Sequence, residues 1–141
     1  MLIGLNCQID NCQNFFWHEA LYLPQWDVWV WPNTVKTKEN IESTAKKMEL
    51  IRAHLGVPLR VTSWFRPERY NRNVVFGAQY SAHVEGLACD FVPVGMEVKE
   101  AKENLKPKLR EFGIRMESNL DGNWLHIDLR EPGPSGRYFT P

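Results

Sequence analysis

Two histidines and two aspartates stand where groups that bind a metal or move protons could meet. His83 and Asp90 lie in the run Ser81-Ala82-His83-Val84-Glu85-Gly86-Leu87-Ala88-Cys89-Asp90, and His126 and Asp128 lie in Trp124-Leu125-His126-Ile127-Asp128. A glycine turn followed by a strand can bring an imidazole and a carboxylate seven positions apart to one point. Side chains alternate along a strand, so His126 and Asp128 share a face. Two His and one Asp are ligand types that zinc accepts. Three protein ligands with one position left open is the pattern of a catalytic site rather than a structural one. Zinc so held makes its water acidic and polarises a carbonyl oxygen. The same residue types also serve as ordinary hydrogen-bonded strand positions, and spacing alone leaves both readings open. Cys7, Cys12 and His18 offer further ligand atoms, but their spacing fits no ordinary zinc motif.

The elements that must position these residues are legible from periodicity. The spacing predicts a helix over 38–55, with Ile41, Ala45, Met48, Ile51 (or Leu50) and Leu55 on one face, Thr37 as its N-cap and Gly56 as its stop. Residues 57–64 (VPLRVTSW) and 87–92 (LACDFV) read as strands. Over 97–112, Val98, Ala101, Leu105, Leu109 and Phe112 fall on one helical face, and Pro107 is expected to kink or split that helix. Residues 113–117 and 124–130 read as two further strands, joined by SNLDGN with turn chemistry at Asp121-Gly122-Asn123. Phe15, Phe16, Trp17, Leu21 and Leu23 suit a short helix and its exit, with Pro24 and Pro32 breaking regular structure beyond it. The order of elements predicts an α+β fold, a small antiparallel sheet packed with helices.

The bulk properties bound the partners. At 141 residues the chain is the size of one domain, read here as 1–141 with an aromatic-rich segment over 1–33 and an irregular tail over 131–141. A hydrophobic share of 43% beside a charged share of 24% is that of a soluble domain able to bury a core without disulfide staples. Three cysteines, an odd and low count, do not make a secreted disulfide framework. Zero formal net charge argues against a nucleic-acid partner. No run approaches the roughly 18–20 apolar residues that span a bilayer. The opening MLIGLNCQIDNCQ lacks the basic region and apolar length of a signal peptide, so synthesis in a reducing cytoplasm is expected, with a monomer favoured.

The segment Ser81 to Asp90, read as S-x-H-x-x-G-x-A-x-D, resembles the signature of the zinc D-alanyl-D-alanine peptidase superfamily. That superfamily includes M15-type peptidoglycan carboxypeptidases and endopeptidases and the related Hedgehog signalling domain. Trp124 to Asp128 matches its W-x-H-x-D block. Thr62-Ser63-Trp64-Phe65-Arg66-Pro67-Glu68-Arg69-Tyr70-Asn71 resembles its S-G-Y-R-s-p-e-x-N block, and Phe15 to Leu21 echoes its opening F-x-x-x-E-x-L.

The resemblance implies a Hedgehog/DD-peptidase-like fold holding one zinc ion through His83, Asp90 and His126. Ser81 would support the loop, Gly86 would permit its turn, Asp128 would orient a ligand or an arginine, and Arg66 would face the substrate. Many relatives carry an acid three residues before the last histidine ligand, where this chain has Asn123. Others place a glutamate on the preceding strand, which makes Glu117 of Met116-Glu117-Ser118 the first candidate for the general base and Asp121 the second. Trp64 stands where the family has glycine, which suggests a bulkier cleft rim. Glu85 is expected to point to solvent, and Cys89 to be a buried small hydrophobe. The implied function is hydrolysis of peptide stems or cross-links of bacterial peptidoglycan. Compact size and the absence of a signal peptide or wall-binding domain resemble phage endolysins released through a holin lesion. The alternative is a zinc-stabilised binding module of the same fold.

Overall fold

The computed structural model of the chain describes residues 4–118 and 122–141. Its longest helix, α2 (Val35–Leu55; α1 is the short helix described below), buries Ile41, Thr44, Ala45, Met48, Ile51 and Leu55. Thr34 caps it, its side chain accepting from the Thr37 N–H at 3.1 Å. The helix therefore starts three residues before the expected position. Its first turn is solvated and carries no apolar repeat, so periodicity could not reveal it. Gly56 ends the helix in the left-handed region at φ 72°, as its lack of a Cβ allows.

Strands β3 (Leu59–Ser63), β4 (Ala88–Pro93), β5 (Arg115–Glu117), β6 (Leu125–Asp128) and β7 (Tyr138–Phe139) form one sheet in the order β3-β4-β6-β5-β7. All pairings are antiparallel except β5 with β7, which is parallel. The tail was expected to be irregular, yet it supplies this edge strand. Gly133 and Gly136 close a turn that folds the chain back, and the Met116 and Ser118 N–H groups donate to the Arg137 and Phe139 carbonyls. A two-residue strand is too short for alternation to announce it.

Helices cover one face of the sheet. α3 (Glu68–Tyr70) is a short turn after β3, and α4 (Val98–Leu105), a single tight turn at Lys106–Lys108 and α5 (Leu109–Phe112) follow one another, the break falling at Pro107, which cannot donate a helical hydrogen bond. Ile41, Met48 and Leu105 join Cys89, Phe91, Leu125 and Ile127 in one apolar cluster. The residues between these on the same strands, Asp90, His126 and Asp128, turn to the opposite face. The N-terminal segment contributes the expected short helix, α1 (Trp17–Leu21), and beyond it a small hairpin of β1 (Tyr22–Leu23) and β2 (Val28–Trp29), with the break expected at Pro24 in its turn and that at Pro32 after it. Glu19 accepts from the Phe16 N–H at 3.0 Å and closes the start of α1.

The loop before β4 is pinned to α2. Asn40 Nδ2 donates to the Glu85 carbonyl at 2.9 Å, and the buried Thr44 hydroxyl lies 2.9 Å from the Gly86 carbonyl. Gly86 has φ +78°, and a methyl group there would meet Ile41 Cγ1 at 2.9 Å and the Thr37 carbonyl at 3.0 Å. Replacing Gly86 by Ala is expected to cost about 1–2 kcal/mol from the left-handed backbone alone, with the overlap added, and to lower the melting temperature by at least about 5 °C. Thermal denaturation of Gly86→Ala beside the parent checks this; an unchanged midpoint would mean the loop accepts a Cβ.

Candidate metal centre

Strand register lines up the polar residues in one row. Ser63 on β3 is opposite Asp90 on β4, and Asp90 is opposite His126 on β6. Arg115 and Met116 on β5 pair with Asp128 and Ile127, so the next pair in register is Glu117 with His126. Glu117 in turn pairs with Phe139 on β7. His83 joins the row from the loop that Gly86 turns. Ser81 Oγ accepts from the His83 N–H at 3.2 Å, and the His83 carbonyl accepts from Arg66 and Gly86.

His83, Asp90 and His126 are all buried, and one potential ligand atom from each lies within 4.8 Å of the others. Asp90 Oδ1 is 3.3 Å from His83 Nε2 and 2.8 Å from His126 Nδ1. Ligands of a tetrahedral zinc, bonded at about 2.0–2.1 Å, sit about 3.3 Å apart, so the donor spacing is close to that of such a site. The nitrogens that face away are engaged. His83 Nδ1 donates to the Trp64 carbonyl at 2.6 Å, and His126 Nε2 donates to Asp128 Oδ2 at 3.1 Å. Outer partners of this kind fix the tautomer and aim of a ligand imidazole. Two oriented imidazole nitrogens and one carboxylate in a buried cluster fit a divalent ion of the zinc type.

The surroundings set the charges. Burial would favour protonated Asp90, but the two histidines outweigh it and hold the carboxyl well below its usual range. Burial alone would lower the His126 pKa; hydrogen bonds to Asp128 and Asp90, with the charges of Asp90 and Glu117, raise it to about 9. Asp128 is also held below the usual carboxylate range, against its burial, by His126 and Arg115.

Arg66 does not stand free above the cleft. Its Nε donates to Ser63 Oγ at 2.9 Å, its Nη2 to Asp90 Oδ2 at 3.2 Å, and its Nη1 more weakly to Asn71 Oδ1 at 3.4 Å. Three of its five N–H donors are thus used and two remain. The Trp64 side chain is not on the rim, as its replacement of glycine suggested. It is buried, edge-on to Phe15 at 6.1 Å, and only its carbonyl reaches the site. Glu85 is exposed and pairs with Arg130 at 3.1 Å, and Cys89 is buried on the opposite face. Asp121, the first residue of the expected turn, falls outside the described residues.

Arg115 went unremarked in the sequence. Its Nε and Nη2 grip both oxygens of Asp128 at 2.7 and 2.9 Å. The signal was present: Arg115 and Asp128 have opposite charge on strands flanking one turn. Only the register, though, makes them neighbours.

The Peptidase M15 family model matches residues 24–128, which include all the residues of this row up to β7. The chain belongs to the peptidase M15 family. The crystal structure of the Serratia marcescens L-Ala D-Glu endopeptidase ChiX is similar at 23% identity and a TM-score of 0.45, over 69% of this chain and 88% of that one. No curated protein matches the chain.

The His126 proton competes with any metal held at Nδ1. His126 is protonated below a pKa of about 9, so zinc affinity should rise with pH and level off above that value. With one proton displaced, the gain is about tenfold per pH unit across the neutral range. Chelator-competition titrations at several pH values read this directly, and a flat profile would remove His126 from the ligand set.

Proposed function

We propose that this chain is a zinc-dependent peptidase acting on the peptide stems or cross-links of bacterial peptidoglycan, with His83 Nε2, Asp90 and His126 Nδ1 as the ligands of one zinc ion. The observation that carries the reading is the buried His-Asp-His cluster, with its outward nitrogens already engaged, inside the segment matched by a peptidase family. A bound zinc would supply Lewis acidity, polarising the scissile carbonyl and making an attacking water acidic.

The chain's own residues divide the remaining work. Glu117 is the general base. It sits next to His126 across the sheet, and its charge acts on both His126 and Arg66. It takes a proton from the water as the water oxygen bonds to the carbonyl carbon, and returns it to the nitrogen of the leaving amine as the C–N bond breaks and the carbonyl re-forms. Arg66 holds Asp90 with one nitrogen and offers its two unused N–H groups to the oxygen that gains charge on the substrate. Ser81 and Asp128 support His83 and His126. Among the described residues no helix is long and apolar enough to cross a membrane.

Purified protein loaded with zinc and mixed with purified peptidoglycan should release peptide fragments detectable by mass spectrometry. Glu117→Gln removes the basic oxygen at constant size. It should keep fold and zinc, unlike His126→Ala, and lower turnover by about 10²–10⁴-fold. Near-normal turnover in that variant would move the base elsewhere, with Asp121→Asn the next variant to assay. A wild-type protein that binds zinc fully yet cleaves no peptidoglycan type would favour the binding module, the reading that Asn123 keeps open.

Arg66→Ala removes no ligand but does remove an outer partner of Asp90, so it should weaken zinc binding by about 10–100-fold and, at saturating zinc, still lose on the order of 10²-fold in rate with its transition-state donor. Zinc content and kcat measured on the same preparation separate the two effects. Unchanged kcat would leave Arg66 only its contact with Asp90.

A further inference from the structure

The support behind His126 extends past Asp128. Asp128 Oδ2 accepts from both His126 Nε2 and Arg115 Nη2, while Oδ1 accepts from Arg115 Nε and the Arg130 N–H. A carboxylate held at both oxygens cannot rotate, so it fixes the imidazole that donates to it. Arg115 is itself held: its guanidinium carbon lies 4.2 Å from the centre of the Phe139 ring. The same ring meets His126 edge-on, with centroids 6.3 Å apart and planes at 82°. One aromatic ring therefore backs both the arginine and the histidine.

Phe139 belongs to β7, beyond residue 128 where the family match ends. We infer that Phe139 and Arg115 are positioning residues for the metal centre, and that the C-terminal strand is a working part of it. The inference rests on the metal reading given above. A guanidinium is planar and weakly hydrated, and it packs well on an aromatic face. That face confines Arg115 to the plane in which its fork meets Asp128. Without it the fork can swing toward solvent, Asp128 loses its fixed direction, and the His126 ring is free to turn Nδ1 away from Asp90.

The neighbouring residue separates this role from simple docking of the tail. Tyr138 points to the helical face, where Lys106 Nζ lies 4.4 Å over its ring. The strand is tied to β5 through backbone bonds of 2.7 Å to Met116 and Ser118, which no side-chain change at 138 or 139 removes. Tyr138 thus anchors the tail without touching the metal residues, and Phe139 faces them.

The test is zinc affinity by chelator competition, read beside the melting temperature of the zinc-free protein. Phe139→Leu keeps an apolar side chain but removes the aromatic face. Arg115→Lys keeps the charge but loses the two-pronged grip, and asks the same question from the other partner. Both should weaken zinc binding by about 10–100-fold, the usual effect of losing an outer partner of a ligand. Phe139→Tyr should restore affinity. Tyr138→Leu should lower the melting temperature and leave zinc affinity unchanged. Wild-type affinity in both Phe139→Leu and Arg115→Lys would overturn the inference. So would equal weakening by Tyr138→Leu and Phe139→Leu, which would make the strand a structural tie only. If the wild-type protein does not bind zinc, the metal centre itself falls, an outcome distinct from a wild-type centre that ignores Phe139.

Discussion

A carboxylate taken out of water must be met by positive charge or hydrogen-bond donors, or it takes up a proton. Asp90 is that carboxylate here. It lies in the middle of the sheet, mostly buried, with His83 and His126 on one oxygen and Arg66 on the other. Burial pushes its pKa up and the two histidines pull it down further, so it stays ionised. Each partner comes from a different piece of chain: the loop before β4, the strand β6, and the segment after β3. The fold can satisfy Asp90 only if all three arrive together, and that requirement ties the sheet register, the glycine turn and the Arg66 segment to one point.

The two imidazoles are oriented from behind in different ways. His83 leans on a backbone carbonyl, that of Trp64, whose indole is locked in the core against Phe15. A buried tryptophan has little freedom, so the carbonyl it carries is a fixed reference. His126 leans on a side chain, Asp128, which must be charged and held to serve the same purpose. Arg115 supplies both, and the tail strand backs Arg115. The helical face of the sheet, filled by Cys89, Phe91, Leu125 and Ile127 against α2 and α4, gives the strands a rigid floor. Geometry at a reactive site depends on such support as much as on the groups that touch the substrate.

The division of the sheet into two faces also explains where polar residues are tolerated. Alternation along β4 and β6 turns Cys89, Phe91, Leu125 and Ile127 into the apolar cluster and Asp90, His126 and Asp128 to the opposite face, where the site lies. Asp90, His126 and Asp128 are all buried, Asp90 and His126 slightly less completely than their apolar neighbours, and each has partners at hydrogen-bond distance. A polar face this well satisfied specifies its register: a slip of one residue would drive the carboxylates into the core and the aliphatic residues into the cleft.

The local elements were legible in the sequence because each is driven by short-range physics. The apolar repeat of α2, the break at Pro107, the stop at Gly56 and the alternation of β4 and β6 depend on residues a few positions apart. So did the turn at Gly86 and the shared face of His126 and Asp128, and with them the motifs that pointed to His83, Asp90 and His126. What the sequence could not reveal depends on which segments become neighbours. The sheet register put Arg115 against Asp128, and a two-residue strand from the tail brought Phe139 to both Arg115 and His126. Trp64 looked like a rim residue until packing against Phe15 turned its side chain inward. Arg66 was read as facing substrate, but Ser63, Asn71 and Asp90 claim part of its hydrogen-bonding capacity. Long-range contacts are chosen by burial and register summed over the whole sheet, and no window of sequence contains that sum.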